Sequence, residues 1–337
     1  MIITKTPFRM SFLGGGTDYA PFFNEFGGSV IATTFDKYCY VIVRHLPPFF
    51  EAPNHIVYSA VERPNTVDEI EHPLIRNAMK MLDMHDLNIV YDSDLPARSG
   101  IGSSSSFAVG MLSAFYALKG KMIGKRRLAE EAIYLEREMC NEAGGWQDQI
   151  SAAYGNLNRI NFQNGTFTVN PIIISKERKR LLNDHLMLFF TGFSRISSDI
   201  ATTQSRSIKR MQAELQEMLR MVDEGEEILT SQCDICEFGR LLDYTWRLKR
   251  GLTSKISTDA IDAMYAKAMD AGALGGKLLG AGGGGFLLLF VKPERQEHVR
   301  QVLSDLLYVP FAFEESGVQI LYYAPETYIK KRISANY

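Results

Sequence analysis

The run Ser99-Gly100-Ile101-Gly102-Ser103-Ser104-Ser105-Ser106, opening onto an apolar stretch that begins at Phe107, constrains this chain more than any other segment. Glycines let successive backbone amides turn inward, serines cap helices and add hydroxyls, and a helix start carries partial positive charge. Together they predict an anion seat, suited to phosphate, at the head of a helix over Ser104 to Leu118. A capped helix after a flexible turn is the competing reading, although four consecutive serines exceed what capping requires. The loop is not a Walker loop, because no G-x-x-x-x-G-K-[ST] occurs, nor a dinucleotide fingerprint, because Ser105 stands at the third glycine position. The G-x-G-x-x-G string at Gly280, Gly282 and Gly285 is rejected as well: a helical pattern precedes it and the strand Phe286 to Val291 follows, the reverse of a Rossmann turn.

Two further segments carry chemistry. Near the start, Pro7-Phe8-Arg9-Met10-Ser11-Phe12-Leu13 leads into Gly14-Gly15-Gly16-Thr17-Asp18. Three glycines let the chain bend closely around a small polyol whose hydroxyls donate to Asp18; a simple turn explains the run equally well. Gly144-Gly145-Trp146-Gln147-Asp148-Gln149 follows an acidic helix holding Glu136 and Glu138. Asp148 beside a glycine turn suits acceptance of a hydroxyl proton, and an acid on the preceding helix suits magnesium, with a surface turn as the alternative.

An anion would have to be held locally, because 37 Lys and Arg against 39 Asp and Glu leave a formal charge of -2. That excludes a global basic field for nucleic acid or an anionic membrane. With 337 residues, 46% hydrophobic and 23% charged, the chain has material for two domains and is too apolar for disorder. Its longest apolar stretch, Phe286 to Val291, falls far short of the ~20 residues of a membrane helix. MIITKTPFRM lacks a basic segment followed by an apolar run, so a cytoplasmic location is expected. Of four cysteines only Cys233 and Cys236 form a C-x-x-C pair, weak as a zinc or redox signal and read here as helix residues.

Patterning predicts strands at Ser29 to Arg44, His55 to Ser59 and Asn88 to Tyr91, and helices at Leu74 to Leu82 and Arg127 to Asn141. Asn156 to Thr166 reads as loop. Beyond it come a strand at His185 to Phe190 and helices at Asp199 to Asp223, Ile235 to Gly251, Asp259 to Ala271 and Pro293 to Leu307. Strands at Phe286 to Val291 and Val318 to Tyr323 give the carboxyl-terminal half its own small sheet. The character changes near residues 165 to 185, which predicts an α+β chain of two domains, 1–170 and 171–337.

In combination these segments resemble the GHMP kinase superfamily of small-molecule kinases: Pro7 to Asp18, Pro96 to Ser104 and Gly280 to Gly285 stand in the family's order. The resemblance spans nearly the whole chain. It implies an amino-terminal domain like the second domain of ribosomal protein S5, a ferredoxin-like carboxyl-terminal domain, and ATP with Mg2+ bound beside an acceptor between them. Pro96, Ser99, Gly100, Ile101, Gly102, Ser103, Ser104 and Ser105 then match the phosphate loop. Ser104 and Glu136 match the magnesium ligands, Asp148 the catalytic aspartate, and Arg9 the arginine that steadies it and the transferring phosphoryl. Gly15, Gly16, Thr17 and Asp18 match the acceptor-binding turn.

Galactokinases carry G-E-H-T-D where this chain has Gly14-Gly15-Gly16-Thr17-Asp18, which argues against galactose. The triple glycine looks like the fucose and heptose kinases, and Thr191 to Ser198 like the heptose 7-phosphate kinase branch. That branch implies phosphorylation of an anomeric C1 hydroxyl to the 1,7-bisphosphate for nucleotide-activated heptose. Arg195, with Ser197 or Ser198 nearby, is the candidate grip on the acceptor's distal phosphate, a helix-start arginine being the alternative. The expected partner is a small sugar phosphate, for a monomer or homodimer. A fucose or other sugar 1-kinase, and a non-catalytic sugar or nucleotide sensor on the same scaffold, remain the competing functions.

Overall fold

The computed structural model describes residues 1–192, 211–253 and 256–326. Arg195, Ser197 and Ser198 lie outside the described residues. β-branched and aromatic residues of the amino-terminal third form the long antiparallel pair β1 (Ile2–Leu13) and β2 (Gly28–His45), joined through the triple glycine and α1 (Ala20–Phe26). Their register runs from Ile2 opposite Val43 to Leu13 opposite Ile31, with a bulge after Pro7, a residue that lacks a ladder N–H.

β3 (His55–Val57), β4 (Val61–Glu62) and β5 (Leu87–Ser93) extend this sheet, with α2 (Pro73–Met81) between β4 and β5. Then come α3 (Ser103–Leu118), α4 (Lys125–Tyr134), a π-helical turn at Leu135–Met139 and α5 (Gln147–Tyr154). All of α3 except Ser104 is buried, which its small and apolar sequence permits on every side. Gly110 lets it sit down on β1, since a Cβ there would meet Thr6 Oγ1 at 2.6 Å. Side chains such as Phe115 each contribute about 1.5–3 kcal/mol by leaving water.

Asn156 to Thr166, expected as loop, belongs instead to the hairpin β6 (Asn158–Gln163) and β7 (Thr166–Pro171). Its two-residue turn, Asn164-Gly165, has φ of +51° and +70°, the conformation that suits a hairpin's twist. After α6 (Lys176–Asp184), β8 (Leu186–Phe190) opens a second sheet. The described part of the predicted Asp199–Asp223 helix is α7 (Gln212–Thr230), followed by α8 (Cys236–Leu252) and α9 (Asp259–Asp270). Cys236 opens α8, whereas Cys233 precedes it in a bend rather than a helix.

β9 (Ala273–Leu278) and β10 (Phe286–Val291) flank the late glycine run, so a strand, not a helix, immediately precedes it; the loop joins antiparallel strands and the Rossmann order is still absent. α10 (Pro293–Val302), β11 (Leu307–Tyr308), β12 (Phe313–Glu314) and β13 (Gln319–Tyr323) complete the fold. The second sheet runs β11-β8-β10-β9. The final strand was expected there, yet β13 pairs with β1 and β12 with β2, making the first sheet nine-stranded among the described residues. A strand's partner depends on register and shape, which local pattern does not encode.

β1 is covered on both faces, by α3 and by α7 with α8, and its second half is wholly buried. Gly225 of α7 permits that approach, its Cβ position being 2.1 Å from Leu13 Cδ1. Among the described residues no helix is long and apolar enough to cross a membrane.

Candidate active site

The site forms where β1, the head of α3, the head of α5 and the β9–β10 loop meet. Arg9, from the middle of β1 and 4% exposed, organises it. Its Nε donates to Asp148 Oδ1 at 2.7 Å and its Nη2 to Asp148 Oδ2 at 2.9 Å, a two-pronged ion pair. Its Nη1 donates to Gly100 O at 2.7 Å, and its backbone N–H to Ile101 O at 3.1 Å. One residue therefore ties the serine-rich turn to the carboxylate. A Cβ on Gly102 would meet Arg9 Cγ at 3.2 Å and Asp148 Cβ at 3.5 Å, so turn and carboxylate are neighbours across one cleft.

The turn itself differs from expectation in one respect. Gly102, at φ +75°, is the N-cap of α3, and no side chain caps the helix. Each serine hydroxyl is engaged elsewhere. Ser99 Oγ donates to Pro96 O at 2.6 Å, Ser103 Oγ accepts from Arg98 N at 3.2 Å, and Ser106 Oγ donates to Pro7 O at 2.9 Å. Ser104 and Ser105 each donate to Glu136, on Oε1 and Oε2 respectively, both at 2.7 Å. The helix start is thereby left to a ligand that can use its amides and its partial positive charge.

Glu136 is 1% exposed and lies in the π-helical turn, which inserts a residue into the helix and re-aims this side chain. Gln149 Nε2 also donates to its Oε2. Ser104, the exposed member of the run, stands at the mouth.

The triple glycine joins from the other side. Thr17 Oγ1 lies 2.8 Å from both Gly14 O and Ser29 O and accepts from Ser29 N at 3.1 Å, so this fully buried hydroxyl holds the turn closed rather than facing the cleft. Asp18, 1% exposed, accepts from Gly16 N at 3.0 Å and Gln147 N at 3.3 Å, while its carbonyl accepts from Trp146 N at 3.1 Å. Burial pushes its carboxyl above the usual carboxylate range; the nearby Asp148 charge adds to this and the two amides oppose it. Gly145 has no alternative, because a Cβ there would fall 1.8 Å from Asp18 Oδ2. A Cβ on Gly15 would lie 3.6 Å from Ser11 Oγ and 3.9 Å from Gln147 Nε2. Ser11 Oγ and Gln147 Oε1 are buried without a hydrogen-bond partner among the described residues, polar atoms suited to hydroxyls of a ligand.

Two residues of the site escaped the sequence reading. Lys249 in α8 and Lys277 in β9 are 6% and 1% exposed, donating respectively to Gly280 O at 2.5 Å and Phe12 O at 2.9 Å. Burial lowers the ammonium pKa of Lys249 to about 8 and that of Lys277 well below the usual range, with Arg9 depressing both and Lys249 depressing Lys277. A signal existed for Lys249: it continues the apolar stripe Phe238, Leu242, Thr245 and Trp246, where a lysine is out of place. The late glycine run brings its loop against the turn by backbone contact, since a Cβ on Gly280 would lie 2.4 Å from Gly100 Cα and one on Gly285 2.1 Å from Ser99 O.

The arrangement places an amide-lined helix start, a carboxylate with a paired arginine, a shielded acid held by two backbone amides, and two buried lysines around one cleft. Residues 69–156 match the GHMP kinases N terminal domain, and residues 231–309 the GHMP kinases C terminal domain. The D-glycero-alpha-D-manno-heptose 7-phosphate kinase of Campylobacter jejuni is 30% identical over 94% of this chain and 98% of that protein. The bifunctional fucokinase/GDP-fucose pyrophosphorylase of Arabidopsis thaliana is 25% identical over 89% of this chain, which spans 31% of that longer protein. Among solved structures, a D-glycero-D-manno-heptose 1-phosphate kinase from Bacteroides thetaiotaomicron superposes with a TM-score of 0.78 at 24% identity, covering 94% of this chain and 98% of that one. The Lactococcus lactis galactokinase shares the fold at a TM-score of 0.70 and 16% identity, covering 95% of each chain.

Proposed function

This chain belongs to the GHMP kinases and is an ATP-dependent sugar kinase of that family, and we propose that it phosphorylates the anomeric C1 hydroxyl of D-glycero-α-D-manno-heptose 7-phosphate, yielding the 1,7-bisphosphate. The observation that carries the choice of sugar is the 30% identity sustained over 98% of the Campylobacter heptose 7-phosphate kinase.

In this reading the nucleotide's phosphates lie on the Gly100–Ser105 turn and the sugar lies against Gly15, Gly16 and Asp18. Thr17 shapes the turn from behind, because its hydroxyl is committed to Gly14 and Ser29. The sugar hydroxyl oxygen bonds the γ-phosphorus as the bond to the β,γ-bridging oxygen breaks. The hydroxyl proton passes to an Asp148 oxygen, and ADP departs with the electron pair of the broken bond. Arg9 fixes the rotamer of Asp148 by gripping both oxygens, which leaves their remaining lone pairs aimed at the cleft. Phosphoryl transfer asks mainly for such alignment and for charge stabilisation.

The residues also fit a magnesium ion. Ser104 and Glu136 offer one exposed hydroxyl and one carboxylate, hard oxygens that suit a cation arriving on phosphates, and no group of three or more metal-ligating side chains occurs among the described residues. Such an ion neutralises phosphate charge when bound.

The test is coupled ADP release with heptose 7-phosphate, unphosphorylated heptose, mannose, fucose and galactose. The proposal expects kcat/KM for heptose 7-phosphate to exceed every other by at least tenfold. A preference for fucose would favour the second reading, which rests on two fucokinase relatives at 25% and 23% identity.

A further inference from the structure

A lysine ammonium is a compact, strongly hydrated charge with three donors, seldom buried without a counter-charge. Lys249 departs from that pattern. At 6% exposure it makes one hydrogen bond, to Gly280 O at 2.5 Å, and no ion pair is seen for it among the described residues. Asp18 and Asp148 act on it only at a distance, so the buried cation is incompletely matched, which costs stability that a bound anion would restore.

Position says which anion. Gly280, which holds Lys249, is packed on Gly100 of the phosphate turn, and Gly100 O is held in turn by Arg9. Arg9 grips both oxygens of Asp148. Three of the five guanidinium N–H groups are thereby consumed, and the planar group is fixed by Asp148 and Gly100, so Arg9 cannot turn to follow a moving phosphoryl group. Lys249 retains two donors, and its charge acts on the same cluster, against Arg9 and towards Asp18 and Asp148. A group lying between the turn and Asp148 is the group in transit; a phosphate at the far end of a seven-carbon sugar is not.

We propose that Lys249 is a catalytic residue of the kinase reaction, its ammonium bonding the γ-phosphoryl oxygens while that group moves from nucleotide to sugar. The inference rests on the kinase reading above. Lys249 neither gives nor takes the proton in this step. The hydroxyl proton goes to Asp148, the new oxygen–phosphorus bond replaces the one to the bridging oxygen, and the lysine balances charge on the equatorial oxygens, an effect worth about 10²- to 10³-fold for one such donor.

The test uses the whole 337-residue chain with Lys249→Met and Lys249→Arg. For Lys249→Met, ADP binds as in wild type, the β,γ-imido analogue of ATP binds at least tenfold more weakly, and kcat falls about 100-fold with the sugar KM within threefold. Lys249→Arg recovers most of both losses. The free Met variant melts no lower than wild type, which separates the effect from unfolding. Equal weakening of ADP and the imido analogue, or kcat within threefold of wild type, would overturn the assignment. So would a loss confined to acceptors that already carry a phosphate. The binding comparison decides the matter even if no sugar in the panel turns over, a result that would count against the kinase reading instead.

Discussion

Asp148→Asn removes one oxygen and one charge at the centre of the site, and two measurable losses follow from the geometry. In the wild type both carboxylate oxygens accept from Arg9, at 2.7 and 2.9 Å. In the variant an amide NH2 faces one of the guanidinium N–H groups, so one charge-assisted bond is lost and a 4% exposed arginine keeps no counter-ion. Breaking one side of a buried pair costs about 3–5 kcal/mol. The Asp148 side chain is 24% exposed, so water relieves part of this and about 3 kcal/mol is expected. At about 2.1 cal/mol/K of unfolding entropy per residue, a chain of 337 residues shows this as a Tm drop of about 4 °C. Loss of the proton acceptor lowers kcat by about 10²- to 10⁴-fold, at least about 3 kcal/mol in the barrier. Differential scanning calorimetry and ADP release at saturating ATP and sugar read the two losses separately. Were kcat to stay within tenfold of wild type while Tm fell, Asp148 would be only the arginine's counter-ion; an unchanged Tm would refute the ion-pair energetics.

Two other expectations follow. Burial lowers the Lys249 ammonium from an ordinary 10.5 to about 8, a cost to the folded state on the order of 3 kcal/mol. Below pH 8 both folded and unfolded chains carry that proton and the whole cost is present; between pH 8 and 10.5 only the unfolded chain retains it, so wild-type stability climbs. Lys249→Met is therefore more stable by about 3 kcal/mol at pH 7, with the advantage shrinking towards pH 10.5, as urea denaturation at pH 7 and pH 10 will show. Gly145→Ala drives a methyl group into Asp18, displacing the carboxylate from the amides of Gly16 and Gln147. The sugar KM should rise at least tenfold with the ATP KM within about threefold, both read from initial rates.

Much of this site was legible because its parts are backbone-driven. A G-x-G turn ahead of small residues specifies a helix start with open amides; Arg9 bonds Gly100 and Asp148 directly, and Glu136 is tied to the same elements through Ser104, Ser105 and Gln149. The role of the serines was less legible, because composition does not say whether a hydroxyl turns back to cap its helix or across to Glu136. Lys249 and Lys277 come from elements more than 220 residues beyond Arg9 and depend on how α8 and β9 pack, which no local pattern contains. The Asn164-Gly165 hairpin was a different failure, since its turn pair is readable and polar residues around it masked the strands.

The pairing of β13 with β1 bears on how the protein is made. Ile2, Ile3, Thr4 and Lys5 find their outer neighbours only at residues 319 to 323, so the arginine-bearing strand stays an open edge until those residues have been made. At about 5–20 residues per second, the intervening stretch of roughly 310 residues takes about 15–60 s to emerge. Throughout that interval a nascent chain displays an unpaired strand end beside an apolar helix, a template for intermolecular association. Chains truncated near residue 170 would keep that edge permanently and are expected to aggregate, whereas grafting residues 309–324 onto such a fragment through a short linker supplies the missing neighbour.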